Sequence, residues 1–160
     1  MKRIISILLL LVFLVSCKDE SLMKPPHKDE VYRTLQEAVD EERFLSLDRQ
    51  EIYFTLDIEE NDYTEGFVLQ DKSNTTIDEI AFFIAKDDCA DRLYEKLETY
   101  VAESKTHKKE WLESYNPSEA IKLKNGRLFR YQNSMGYAFL NESELHGFLS
   151  ELDKIFKGSE

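Results

Sequence analysis

Basic residues are in short supply in this chain: 21 Lys and Arg stand against 32 Asp and Glu, a formal net charge of −11 over 160 residues. Such a surface repels phosphate backbones, which excludes nucleic acid as a partner, and acidity of this kind serves first to keep a protein soluble. Cysteine is scarcer still, with only Cys17 and Cys89. Cys89 sits among Asp87, Asp88 and Asp91 at the expected start of a helix, and reads as a half-buried structural thiol. Long apolar runs are missing as well. Ile4 to Val15 is the most extended, and its length of about 12 residues falls short of the roughly 20 that span a bilayer as a helix. Catalytic signatures are absent too: no H-x-x-x-H and no G-x-S-x-G occurs, and His27, His107 and His146 are far apart in sequence.

The short apolar run has the anatomy of a secretory signal, with Lys2 and Arg3 before it and the small residue Ser16 after it. Its end, Leu14-Val15-Ser16-Cys17, resembles a bacterial lipobox. The resemblance implies cleavage between Ser16 and Cys17 and acylation of Cys17, which would hold the mature protein to a membrane outside the cytoplasm. Stable anchoring takes two or more acyl chains, since one binds only marginally. The blander reading is an ordinary signal peptide whose cut coincides with a cysteine. Removing residues 1–16 leaves 19 basic residues against 32 acidic ones, a charge of −13. The lipid bilayer would then be held through acylated Cys17 alone, and Cys89 would have no disulfide partner within the chain.

The expected layout is a signal peptide over 1–16, a lipidated Cys and spacer over 17–28, and a single domain over 29–158. The spacer holds Pro25-Pro26 and lacks apolar periodicity. Ser21-Leu-Met-Lys24 matches S-x-x-K, but in a linker and without companion motifs it carries no catalytic meaning. His27 is a lone histidine without a ligand partner nearby.

Within the domain, Val31, Leu35, Ala38-Val39 and Phe44-Leu45 give helical spacing over Asp29 to Leu47. Ile52 to Leu56 is β-prone, and Asp57 to Asp62 reads as a solvated acidic loop. Counted as an EF-hand from Asp57, that loop has Asp62 where Gly belongs and Val68 where Glu belongs, so calcium is rejected. Glu65 to Gln70 is a strand. Glu79 to Ala85 is the clearest one, with Ile80, Phe82 and Ile84 on one face and Ala81, Phe83 and Ala85 on the other, as in a central strand covered on both sides. Asp87 or Asp88 should cap a long helix running to about Tyr115, with Ala90, Leu93-Tyr94, Leu97 and Tyr100-Val101 as its stripe and Asn116-Pro117 as its stop. Its distal part, Lys105 to Lys109, is basic. Ala120 to Lys124, a hairpin turn at Asn125-Gly126, Arg127 to Gln132, a turn over Asn133 to Gly136, and Tyr137 to Leu140 spell a meander. A final amphipathic helix follows the capping pair Asn141 and Glu144. The fold class is α+β: a mainly antiparallel sheet of about five strands against an N-terminal, a long central and a C-terminal helix.

From about residue 30 to 157 this order is similar to the DUF4358 family of small bacterial secreted and lipidated proteins. The resemblance rests on the order of the helix before Leu45, the strand Phe67-Val-Leu, Asp78-Glu79-Ile80 leading through the clearest strand into the long helix, Tyr115-Asn-Pro117 after it, the Asn125-Gly126 hairpin and Gly136-Tyr137 before the last strand. The Asp78-Glu79-Ile80 stretch and Tyr115-Asn-Pro117 are its most specific parts. Tyr53-Phe-Thr-Leu-Asp57 only approximates that family's Tyr-x-Ile-Asp segment. The name stands for a domain of unknown function, so the resemblance implies fold and cellular address and no active site. The expected function is a membrane-tethered, non-catalytic binding or interaction domain of the cell envelope, without cofactor or metal, whose partner is an envelope protein or a small ligand. Tyr53, Tyr63, Trp111, Tyr115 and the basic helix end are the contact candidates. The alternatives are a hydrolase-type envelope enzyme whose site is assembled from distant residues, and an inhibitor or immunity-type protein.

Overall fold

The computed structural model describes residues 26–73 and 75–157. Leu14 to Cys17, Ser21 to Lys24, Asn74 and Gly158 lie outside the described residues. Among the described residues no helix is long and apolar enough to cross a membrane.

A five-stranded antiparallel sheet of order β1-β2-β3-β5-β4 forms the middle of an α+β fold. Its strands are β1 (Phe44–Ser46), β2 (Tyr63–Asp71), β3 (Glu79–Ala85), β4 (Arg127–Tyr131) and β5 (Ser134–Phe139). β3 has the bounds its sequence pattern predicts and sits at the centre, paired to β2 on one side and β5 on the other. Its alternation sorts two cores. Ile80 and Phe82 join Phe67, Leu69, Phe129 and Ala138 on one face, while Ala81, Phe83 and Ala85 join Val68, Met135 and Tyr137 on the other. Where β5 crosses Phe82 the residue is Gly136, because a Cβ there would collide with the Ala81 carbonyl oxygen and the tip of Phe129.

The first face is covered by α1 (Lys28–Ala38) and α6 (Glu142–Lys157), which also pack against each other. They contribute Val31 and Leu35, and Leu145, Phe148 and Leu152, at the i, i+3, i+4 spacing of an amphipathic helix. The second face is covered by α2 (Arg49–Leu56), α3 (Ala90–His107), α4 (Lys109–Tyr115) and α5 (Pro117–Asn125).

Several local expectations are corrected. The first helix ends at Ala38 rather than Leu47: Asp40 caps a 3-10 turn (Glu41–Arg43), and Phe44 to Ser46 take up the free backbone groups at the edge of β2. Ile52 to Leu56 is helix, not strand. Asp48 and Glu51 form a full capping box, with Asp48 Oδ1 accepting from Gln50 N at 2.8 Å and Glu51 N at 2.9 Å, and Glu51 accepting from Asp48 N at 2.7 Å. That cap, and the i, i+4 pair Ile52 and Leu56 on the core side, outweigh the β-prone composition. Ala120 to Lys124 is also helix, begun by Pro117 at its first position. Gly126 follows in extended backbone (φ −49°, ψ 139°), so there is no hairpin turn at Asn125-Gly126. The last turn lies at Gln132 (φ 55°) and Asn133, which places Ser134 to Gly136 inside β5 and reduces the meander to one hairpin.

The long helix breaks once, at Lys108, between α3 and α4, and begins at Cys89 without a side-chain cap from Asp87 or Asp88. At the start of α6, Asn141 accepts from Glu144 N at 3.0 Å, but the Glu144 carboxylate turns away to Arg43 instead of closing the box.

Candidate functional site

Two neighbouring carboxylates, Asp78 and Glu79, stand at the entrance to β3, and each founds a polar network. Glu79 is buried on the second face of the sheet. One of its oxygens accepts from Gln70 Nε2 at 3.0 Å and Tyr100 OH at 3.1 Å, and the other accepts from the fully buried Tyr137 hydroxyl. Burial first, and then the Glu79 charge, push both phenols well above their ordinary range. They remain protonated donors.

Asp78 is equally buried and receives Lys122 Nζ at 2.7 Å and Arg43 at 3.0 Å. Lys122 also pairs with Glu119 at 2.9 Å, Arg43 pairs with Glu144 at 2.8 Å, and Glu119 accepts from Ile77 N at 2.9 Å. One ionic network thus ties the 3-10 turn, the lead-in to β3, α5 and α6. Burial pushes the Asp78 carboxyl up, and Lys122 and Arg43 pull against it. Burial opposes the charges of Lys122 and Arg43, yet their acidic partners hold both above the ordinary values.

Above these networks lies a cleft of about 620 Å³ between the end of β2, residues 75–79 and the junction of α3 with α4. Gln70, Asp78 and Glu79 line its inner side, and Lys108, Trp111, Tyr115 and Asn116 its helical side. Trp111 and Tyr115, four residues apart, are 61% and 75% exposed, with ring centroids 5.8 Å apart and planes inclined by 33°. Anchored beneath them by the buried Leu112, α4 holds both rings toward the cleft. Asp78 and Glu79 from the lead-in to β3 and Tyr115 and Asn116 from the end of α4 therefore meet at one place.

The other contact candidates do not. Tyr53 sits on α2 beside the exposed Phe54, and Tyr63 is half-buried with its ring 5.0 Å from Phe83. Of the basic helix end, Lys108 reaches the cleft, whereas Lys105 and Lys109 line a second groove of about 530 Å³ with Ile121 and Lys124. Lys105 donates to the Gly126 carbonyl at 2.9 Å, and burial and then Arg127 lower its pKa.

The histidines are not brought together. His27 caps α1 and lies 2.8 Å from Glu65, His107 ends α3, and His146 lies on α6. Cys89 is buried, with its Sγ 3.2 Å from Arg92, and burial and then Asp88 push its thiol up. The Asp57 to Asp62 loop is not wholly solvated: Asp62 is buried and holds Arg92 at 2.6 Å and Lys96 at 3.3 Å. Burial pushes its carboxyl up, but the Arg92 hydrogen bond, the Glu59 N–H and Lys96 outweigh that and hold it below the ordinary value. Among the described residues no group of three or more His, Cys, Asp or Glu is placed to hold a metal.

Sequence reasoning missed Glu79, Arg43 and Lys122. A glutamate opening an otherwise apolar central strand was the available signal, since a charge there must find partners. No family model, curated protein or solved structure matches the chain.

Proposed function

We propose that this protein is a lipoprotein of the bacterial cell envelope, anchored to the bilayer through acylated Cys17, and that its domain is a non-catalytic binding module whose site is the cleft under Trp111 and Tyr115. One observation carries the reading of the domain: an exposed aromatic pair faces a concave surface whose buried groups are already paired. Binding sites combine such concavity with apolar surface and a few fixed polar groups. The two carboxylates favour binding over hydrolysis. Asp78 is held by two cations and Glu79 by three donors, so both serve to fix the cleft's wall. The resemblance to the DUF4358 family, proposed on an order of elements whose Asn125-Gly126 hairpin is not formed, implies the same address and adds no activity.

Two experiments test the two halves. Cys17→Ala should leave an uncleaved or mislocalised precursor with a normally folded domain; normal processing and retention in the membrane would overturn the anchor. A thermal-shift screen of small polar molecules should yield compounds that stabilise the native protein and no longer stabilise Trp111→Ala. Compounds that stabilise both proteins equally would place binding elsewhere.

A further inference from the structure

We propose that the cleft takes a chain of neutral pyranose rings, with two consecutive rings laid on Trp111 and Tyr115. The assignment rests on the cleft being a binding site and names the chemistry it selects. Three features of the wall narrow the class. The aromatic pair offers flat apolar surface that is exposed rather than packed, suited to the C–H faces of a ring. The opposite wall is polar, lined by Gln70, Thr75 and Thr76, which suits a ring edged with hydroxyl groups and disfavours a purely apolar ligand.

Charge narrows the class further. Asp71 and Glu79 face a single lysine, Lys108, while Asp78 is balanced by Lys122 and Arg43, in a protein of net charge −11, so an anionic ligand is repelled. An ammonium ligand finds no open acceptor at Asp78, which already holds Lys122 and Arg43, or at Glu79, whose oxygens already accept from Gln70, Tyr100 and Tyr137. What remains is neutral, hydroxylated and flat-faced. The 5.8 Å between the two aromatic centroids is of the order of one pyranose unit along a chain, which favours an oligomer over a single sugar. A volume of about 620 Å³ accommodates such a segment and falls within the span of about 300–1,000 Å³ for small-molecule sites.

Trp111 is the sole tryptophan, so its fluorescence reports on the cleft without background. Titration of the native domain with tetra-N-acetylchitotetraose or cellotetraose should shift or quench that emission saturably, with at least one tetrasaccharide bound about tenfold more tightly than its monosaccharide. Tyr115→Ala keeps the fluorophore and should weaken tetrasaccharide binding about tenfold. Ile121→Ala, exposed in the other groove, should leave binding unchanged. Equal affinity for monosaccharide and tetrasaccharide, or indifference to Tyr115→Ala, overturns the proposal. A response to choline chloride or tetra-alanine with none to the sugars overturns the sugar assignment and leaves the binding cleft standing. Silence toward all of these probes overturns both.

Discussion

The two faces of the sheet are built to different ends. Beneath α1 and α6 lies a core of aliphatic and phenyl side chains, from Val31 and Leu35 through Phe67, Ile80 and Phe82 to Phe148 and Leu152. Beneath α2 to α5 the core is just as closed around Phe83, Leu93 and Leu97, but it also takes in Tyr137 and the Glu79 carboxylate, and it opens at one end into the cleft. The core of the first face is apolar and its polar contacts lie at the rim, where Arg43 reaches Glu144 at 2.8 Å and Tyr131 donates to Asp153 at 2.5 Å. A face that buries a carboxylate must fix its partners in place, and that fixed polar wall is what a site requires.

Truncation separates the faces most sharply. Phe148→Ala removes a fully buried ring from the α1–α6 side and should cost about 3–5 kcal/mol in urea unfolding while leaving the cleft's ligand response intact in the fraction that folds. Loss of less than about 1 kcal/mol would mean that this face is not the main source of stability. Glu79→Ala acts on the other face and leaves the buried Tyr137 hydroxyl without its acceptor, at about 1–3 kcal/mol. Tyr137→Phe in that background should recover part of the loss, because the orphaned hydroxyl is gone; no recovery would show that the pair does not act as a unit.

Acid titration gives a smaller effect with a defined sign. Asp62 is held below its unfolded value of 3.8, so its contribution is present above that value and disappears as pH falls through the lower folded value. Asp62→Asn should therefore flatten the fall of stability below about pH 4. Identical slopes for the two proteins would remove Asp62 from the account. The smallest effect on folding belongs to the aromatic pair: Tyr115→Ala should change stability by less than about 0.5 kcal/mol, since the ring is exposed. A larger cost would mark the ring as packing rather than as a ligand platform.

What the chain discloses about itself follows the same division. β3 and α6 are legible because their apolar residues repeat at strand and helix periods along their whole length. Misreadings arise where a short element is decided by its ends. Asp48 and Glu51 turn a β-prone run into helix, Pro117 starts a helix where lysines alternate with Ile121 and Leu123, and Gln132 makes a turn that no glycine announces. The aromatics of the cleft are visible as Trp111 and Tyr115, but their partners are not. Gln70, Asp78 and Glu79 reach them only because β2 and β3 pair in register, Gln70 opposite Glu79, beneath aromatics of α4 more than thirty residues further along the chain. Asp78's cations come from still more distant elements, Arg43 and Lys122.

The division between a stabilising face and a binding face is tested most directly by hydrogen–deuterium exchange of the native domain with and without saturating tetrasaccharide. The account predicts added protection in residues 75–79 and 108–116, with α1 and α6 unchanged. Protection on α1 and α6, or at no site in the domain, would contradict it.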